Sequence, residues 1–212
     1  MDIGDLRREF MSLGLDRDAL QEQPVDQFTI WFQQAVNAGI MDPNAMSLAT
    51  ANARGVPSLR TVLLKFFDHD GFVFYTNYGS RKAHQIAENN RVALLFPWLT
   101  LNRQVKIEGK VEKVGTATSL KYFSSRPRGS QLGAWCSQQS TVITSRQFLE
   151  MRLAEMKDKF HNGQIPLPSF WGGYRVKPER IEFWQGRENR LHDCFEYTVQ
   201  ENDCWQIQRL AP

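Results

Sequence analysis

Cysteine is scarce in this chain. The 212 residues hold three, Cys136, Cys194 and Cys204, odd in number, widely spaced and without a CxxC. That usage argues against a disulfide framework or a zinc cluster and fits a reducing cytoplasm. The four histidines show no HxH or HExxH spacing, so no metal site is expected. Long apolar runs are missing too: the longest, VALLFPWLTL at 92–101, is too short for a membrane span and contains Pro97. The opening MDIGDLRREF carries acids and no apolar core, unlike a secretory signal. Neither sign of charge dominates, with 26 Lys and Arg against 23 Asp and Glu. A net charge of +3 admits anionic ligands but lacks the dense basic stripe of a nucleic-acid binder, so neither nucleic acid nor membrane is expected as a partner.

Catalytic signatures are equally sparse. There is no GxSxG, no obvious carboxylate pair, no His paired by spacing with Cys136 and no GxGxxG after a strand. Hydrolytic triads and a Rossmann dinucleotide site are therefore not indicated. An enzyme of this composition leaves its difficult chemistry to a cofactor. With no repeat and no linker, one domain over 1–212 is expected, helical over 1–40 and a barrel with inserted helices over 46–212.

What the chain does have is aromatic surface, 12% of residues with six Trp and fourteen Phe. Such surface suits a core, an interface or a planar ligand. Phe28, Trp31, Phe32, Ala35 and Val36 recur at helical spacing after Pro24. From Met46 the character becomes β: MSLATA, SLRTVLLKFF and FVFYTN, the last two joined by the hairpin turn DHDG. GSRKAHQIAENN predicts a short helix with Ser80 as N-cap. RVALLFPW and LNRQVKIEGKVEKV predict strands, the second with a bulge at Gly109. Residues 116–125 and TSRQFLEMRLAEMKDKF predict helices, the latter strongly periodic and capped by Thr144 or Ser145. FWGGYRVKP, RIEFWQ, RLHDCFEYTV and CWQIQRL predict four final strands. Many antiparallel strands with a few helices indicate a mainly β fold, a barrel with flanking helices.

Two clusters suit anions. GSRKA at 79–83 places Arg81 and Lys82 at a helix N-terminus, where cations oppose the helix dipole unless an anion docks on the free N–H groups. It is either a phosphate site or a surface turn with two solvated charges. In KYFSSRPRGSQLGAW, Tyr122, Arg126 and Ser130 stand four residues apart, and Pro127 makes the segment a helix end running into a loop. A phenol, a guanidinium and a hydroxyl together suit a phosphate monoester, though a basic surface loop remains the alternative. Arg60 and Lys65, five apart, fall on opposite faces of a regular strand and read as solvated ends unless a bulge intervenes. Near the C-terminus, a strand starting at Arg190 would put Arg190, His192 and Cys194 on one face.

The ordered series RTVLLK (60–65), FYTNYGSRKA (74–83), RQVKIEG (103–109), YFSSRPRGSQLGAW (122–135), PLPSFWGGYRV (166–176) and IEFWQGRENRLHD (181–193) resembles the pyridoxamine 5′-phosphate oxidase family, from about Asp5 to the final RLAP. The resemblance implies an FMN-binding split barrel, an antiparallel Greek-key β-barrel, acting as a homodimer with flavin at the subunit interface. It implies oxidation of pyridoxine or pyridoxamine 5′-phosphate to pyridoxal 5′-phosphate, with O2 reoxidising the flavin to give H2O2. By motif match, FMN falls to Arg60, Thr61, Val62, Leu63, Leu64, Lys65, Tyr75, Thr76, Arg81, Lys82, Gln104, Gln139, Ser140, Trp184 and position 194. Substrate falls to Arg7, Lys65, Tyr122, Arg126 and Ser130, with Arg190 and His192 as the catalytic pair over the flavin. Two departures stand out: Cys194 where relatives carry Arg in RLHDR, and Phe10 where they often carry Tyr. Other split-barrel flavoproteins, or a non-catalytic binder of flavin or pyridoxal phosphate, are the competing expectations.

Overall fold

The computed structural model describes residues 14–201 and 203–212. Helix α1 (Pro24–Asn37) starts at a proline, whose fixed φ suits the first turn, and buries Val25, Phe28, Trp31 and Ala35 on one face. Phe28 sits at the centre of an aromatic cluster, about a ring's width from Phe67, Phe72, Phe96 and Trp98. The helix thereby plugs the sheet.

Among the described residues nine strands form one antiparallel sheet: β1 (Ala45–Ala51), β2 (Pro57–Leu63), β3 (Phe66–Asp68), β4 (Gly71–Asn77), β5 (Arg91–Trp98), β6 (Arg103–Lys113), β7 (Trp171–Gln185), β8 (Asp193–Val199) and β9 (Trp205–Leu210). The order is β2-β1-β5-β6-β7-β4-β3, and β8 adds to β7 and carries β9. On one side β7 pairs with β6 along its length; on the other, residues 171–176 pair with β4 and residues 180–185 with β8. This divided strand is what splits the barrel. Its inward residues Val176, Ile181 and Phe183 are fully buried with Phe72, Phe74, Phe96, Val105 and Ile107. The mainly β class with flanking helices is thus as expected.

Three strand expectations change. FWGGYRVKP and RIEFWQ are one strand, because a register shift between Glu108 and Gly109 on β6 accommodates Pro178 opposite. Gly109 is required there: a Cβ would lie 2.0 Å from the Lys177 carbonyl oxygen. SLRTVLLKFF is two strands, β2 and β3, broken at Leu64 and Lys65. RLHDCFEYTV becomes strand only from Asp193; residues 188–190 form a single 3₁₀ turn.

A smaller apolar cluster joins α3 (Thr116–Ser125), α4 (Arg128–Cys136) and α5 (Arg146–Lys159) around Phe123, Leu132, Met156 and Trp171. Pro127 ends α3 and precedes α4, so a second helix replaces the expected loop. Ser145 caps α5 by accepting the Phe148 N–H at 3.3 Å. The periodicity read in α5 does not translate into a buried face: Met156 alone is buried, and Phe148 and Met151 are exposed.

Candidate active site

One cavity of about 910 Å³ opens between β2, β4, the start of helix α2 (Arg81–Glu88), the α3–α4 elbow and the loop after α4. Among the described residues five cations line it, Arg60, Lys65, Arg81, Lys82 and Arg126, and no carboxylate does. Arg60 and Lys65 share it because β2 ends at Leu63, which removes the strict alternation that placed them on opposite faces. Leu64, expected with them, turns inward and is buried in the core. Thr61, Val62 and Leu63 line the cavity.

At one pole, Arg60 Nη1 donates to the Leu48 carbonyl at 2.9 Å and to Thr50 Oγ1 at 2.7 Å. Buried Gln85 links Thr50 and Ser58, holding β1, β2 and α2 together. Lys82 Nζ donates to Gln139 Oε1 at 2.7 Å and Thr76 Oγ1 at 3.1 Å. Burial, then the charge of Arg60, lowers the Lys82 pKa to about 8. Burial and the nearby Arg81 likewise lower that of Arg60. Ser80 occupies the N-cap position of α2 but makes no side-chain cap; its hydroxyl lies 3.4 Å from Lys82 Nζ. A cluster of like charges around a helix start without a side-chain cap suits an anion.

At the other pole, Tyr75 stacks on Tyr122 with ring centroids 4.0 Å apart, and on Trp171 at 5.4 Å. The Arg126 guanidinium lies 4.8 Å over Trp171. Its Nη1 is buried and has no hydrogen-bond partner among the described residues, which leaves a donor available to a ligand. Ser130 and Lys65 line the same cavity. The loop residues Gln139 and Ser140 face it, Ser140 in the left-handed region at φ 73°. Sequence reasoning missed Thr50, Gln85, Asn77 and Ser137; Asn77 Nδ2 donates to the Ser137 carbonyl at 3.0 Å and ties this loop to β4. No motif marks them, because they act through other residues.

Gln104, Trp184, Arg190, His192 and Cys194 are not among the lining residues. Gln104, Trp184 and Cys194 form one cross-strand row on β6, β7 and β8, alternating with the buried Val105, Phe183 and Phe195. Arg190 and His192 do not continue that row as a strand face. They sit in the β7–β8 turn, where Asn189 and Arg190 both have positive φ, 55° and 60°. The His192 ring lies 4.5 Å from that of Trp184, and its Nδ1 accepts the Arg187 backbone N–H at 3.0 Å. The neutral imidazole therefore carries its proton on Nε2. Cys194 is buried; desolvation and the adjacent Glu182 push its thiol up to about 12, which opposes a reactive thiolate. Arg7 and Phe10 lie outside the described residues.

The profile of the family described as pyridoxamine 5′-phosphate oxidase matches residues 32–160, and that of the pyridoxine 5′-phosphate oxidase C-terminal dimerisation region matches 171–212. The chain belongs to the pyridoxamine 5′-phosphate oxidase family. A curated relative from Crocosphaera subtropica, named pyridoxine/pyridoxamine 5′-phosphate oxidase, is 66% identical over 100% of both chains. One of the same name from Aeromonas hydrophila is 55% identical, again over 100% of both. Among solved structures, PhzG from Burkholderia lata, in complex with tetrahydrophenazine-1-carboxylic acid, superposes with a TM-score of 0.87 at 28% identity, covering 92% of this chain and 95% of its own. An FMN-binding protein from Nostoc punctiforme shares the fold at TM-score 0.73 and 14% identity, covering 91% of this chain and 100% of its own.

Within the family's split barrel, the cation-rich cavity and the Gln104–Trp184–Cys194 row are two separate parts of the set named from the sequence. The residues present fit a flavin phosphate at the Arg60–Arg81–Lys82 pole and a second phosphate at the Arg126 pole.

Proposed function

We propose that the chain oxidises pyridoxamine 5′-phosphate or pyridoxine 5′-phosphate to pyridoxal 5′-phosphate, with FMN as cofactor and O2 as the electron acceptor, releasing H2O2. The observation that carries this is a single cavity with two cationic poles where, among the described residues, no carboxylate lines the wall and a buried guanidinium nitrogen lacks an acceptor. One pole suits the flavin phosphate; the other, with Lys65, Tyr122, Arg126 and Ser130, suits the phosphate of the vitamer.

Bound FMN supplies the hydride acceptor, which no amino-acid side chain can be. The chain's own residues bind and orient. Arg60, Arg81 and Lys82 neutralise phosphate charge, with Thr76 and Gln139 fixing the Lys82 ammonium. Tyr75, Tyr122 and Trp171 provide a stacked aromatic wall that excludes water. Arg190 orients the substrate and steadies charge near its reacting carbon. His192, whose Nδ1 accepts the Arg187 backbone N–H, has its ring oriented by that contact and serves the substrate as a hydrogen-bonding partner.

Gln104, Trp184, Arg190, His192 and position 194 reach this flavin from a second copy of the chain. Their separation from the cavity within one chain and the match to a dimerisation region support that arrangement. The test is peroxide release on adding pyridoxamine 5′-phosphate, with and without added FMN. Flavin-dependent peroxide is expected; a yellow protein that releases none would leave only a binding role. Arg190→Ala should cut turnover by on the order of a hundredfold while FMN stays bound, a loss scaled to misplaced substrate.

A further inference from the structure

The turn that bears Arg190 and His192 is held from behind by one carboxylate. Asp193, the first residue of β8, has a side chain only 13% exposed. Its Oδ2 accepts the Leu15 backbone N–H at 2.9 Å and the Arg187 guanidinium at 3.4 Å. Its Oδ1 accepts Arg209 Nη1 at 2.6 Å. Arg209, on β9, also donates to the Leu15 carbonyl at 3.2 Å and lies 4.4 Å over the Phe195 ring. Arg187 in turn gives its backbone N–H to His192 Nδ1. Three segments remote in sequence, at 14–16, 187–193 and 209, thus meet on one carboxylate.

Gly14 completes the junction. A Cβ at Gly14 would lie 1.7 Å from Arg187 Nη1 and 3.1 Å from Asp193 Oδ2, so the guanidinium occupies the space a side chain would need. The turn itself is conformationally costly, with two successive non-glycine residues in the left-handed region. Such a turn persists only when its surroundings over-determine it.

We propose that Asp193 is a positioning residue: through Arg187 it fixes the 187–192 turn against the chain at Gly14–Leu15, and so sets where Arg190 and His192 stand over the substrate. The proposal rests on the function above. Burial works against the Asp193 charge, yet the Leu15 amide and the guanidinium groups of Arg209 and Arg187 prevail and hold its carboxyl below the ordinary value. The ion pairs are therefore intact at neutral pH.

The experiment compares Asp193→Asn and Gly14→Ala with Tyr197→Phe, using FMN-loaded full-length protein and pyridoxamine 5′-phosphate. Tyr197 donates to the Gln21 carbonyl at 2.7 Å and anchors the same N-terminal stretch without touching the turn. D193N weakens the clamp electrostatically, and G14A displaces Arg187 while leaving the carboxylate in place. Both should lower kcat/KM by about tenfold to a hundredfold, with FMN affinity unchanged. Y197F should lower the melting temperature without that loss. Wild-type kcat/KM in D193N and G14A, or a loss that merely follows melting temperature as in Y197F, overturns the positioning role. Wild-type protein that releases no peroxide overturns the proposed function, and the positioning role with it.

Discussion

Lys82 carries a pH signature that follows from its surroundings. Its pKa in the folded chain is about 8, against 10.5 in the absence of the fold. Between those values the unfolded chain holds the proton and the folded chain does not, so this residue makes the FMN-free protein more stable as pH rises through that window. Flavin binding has the opposite dependence, since a phosphate dianion needs the ammonium. FMN affinity measured by flavin fluorescence should fall as pH rises above 8, and Lys82→Met should flatten the profile while weakening binding at pH 7. A profile unchanged by K82M would remove Lys82 from the phosphate pole. Cys194 poses the converse case: a buried thiol stands beside the Lys106–Glu182 ion pair, whose Nζ–Oε2 distance is 2.6 Å. Cys194→Arg adds a cation to the Gln104–Trp184 row and should tighten FMN by roughly tenfold to a hundredfold, the equivalent of one charge-assisted contact of about 1.5–3 kcal/mol. A titration showing no tightening counts against that row as part of the flavin site.

At the scale of elements, small breaks in regular structure decide the chemistry. The end of β2 at Leu63 brings Arg60 and Lys65 to one cavity, and the Pro127 boundary between α3 and α4 sets Tyr122, Arg126 and Ser130 around the other pole. Neither break follows from period-two or period-3.6 counting alone. The Gly109 bulge, by contrast, was legible, because a lone glycine in a strand pattern signals a bulge. Gly109→Ala forces a Cβ against the Lys177 carbonyl in the middle of the longest strand pair. It should destabilise the protein by about 1–3 kcal/mol, the range for overpacking, read as a lower denaturant midpoint. An unchanged midpoint would mean that β7 shifts freely at Pro178.

The whole molecule offers a test of shared sites. If each flavin draws the cavity from one copy and the 184–194 residues from another, Arg60→Ala and Arg190→Ala damage opposite halves. Mixing the two inactive proteins under conditions of subunit exchange should then restore part of the activity, because a mixed dimer contains one site built wholly from undamaged residues. No recovery from a mixture proven to exchange would place both halves on one chain. Among the described residues no helix is long and apolar enough to cross a membrane, and no His, Cys, Asp and Glu group could hold a metal.

By itself the sequence determined the β-rich class, most element positions and the chemical types gathered at the phosphate poles, because those depend on local periodicity, turn residues and charge. It also marked Cys194 as unusual. Tertiary structure decided which cations share a cavity, that Arg190 and His192 lie in a left-handed turn instead of on a strand face, and that Thr50, Gln85 and Asp193 hold the others in place. Those facts depend on contacts between residues far apart in the chain, such as Asp193 with Leu15, and no local pattern encodes them.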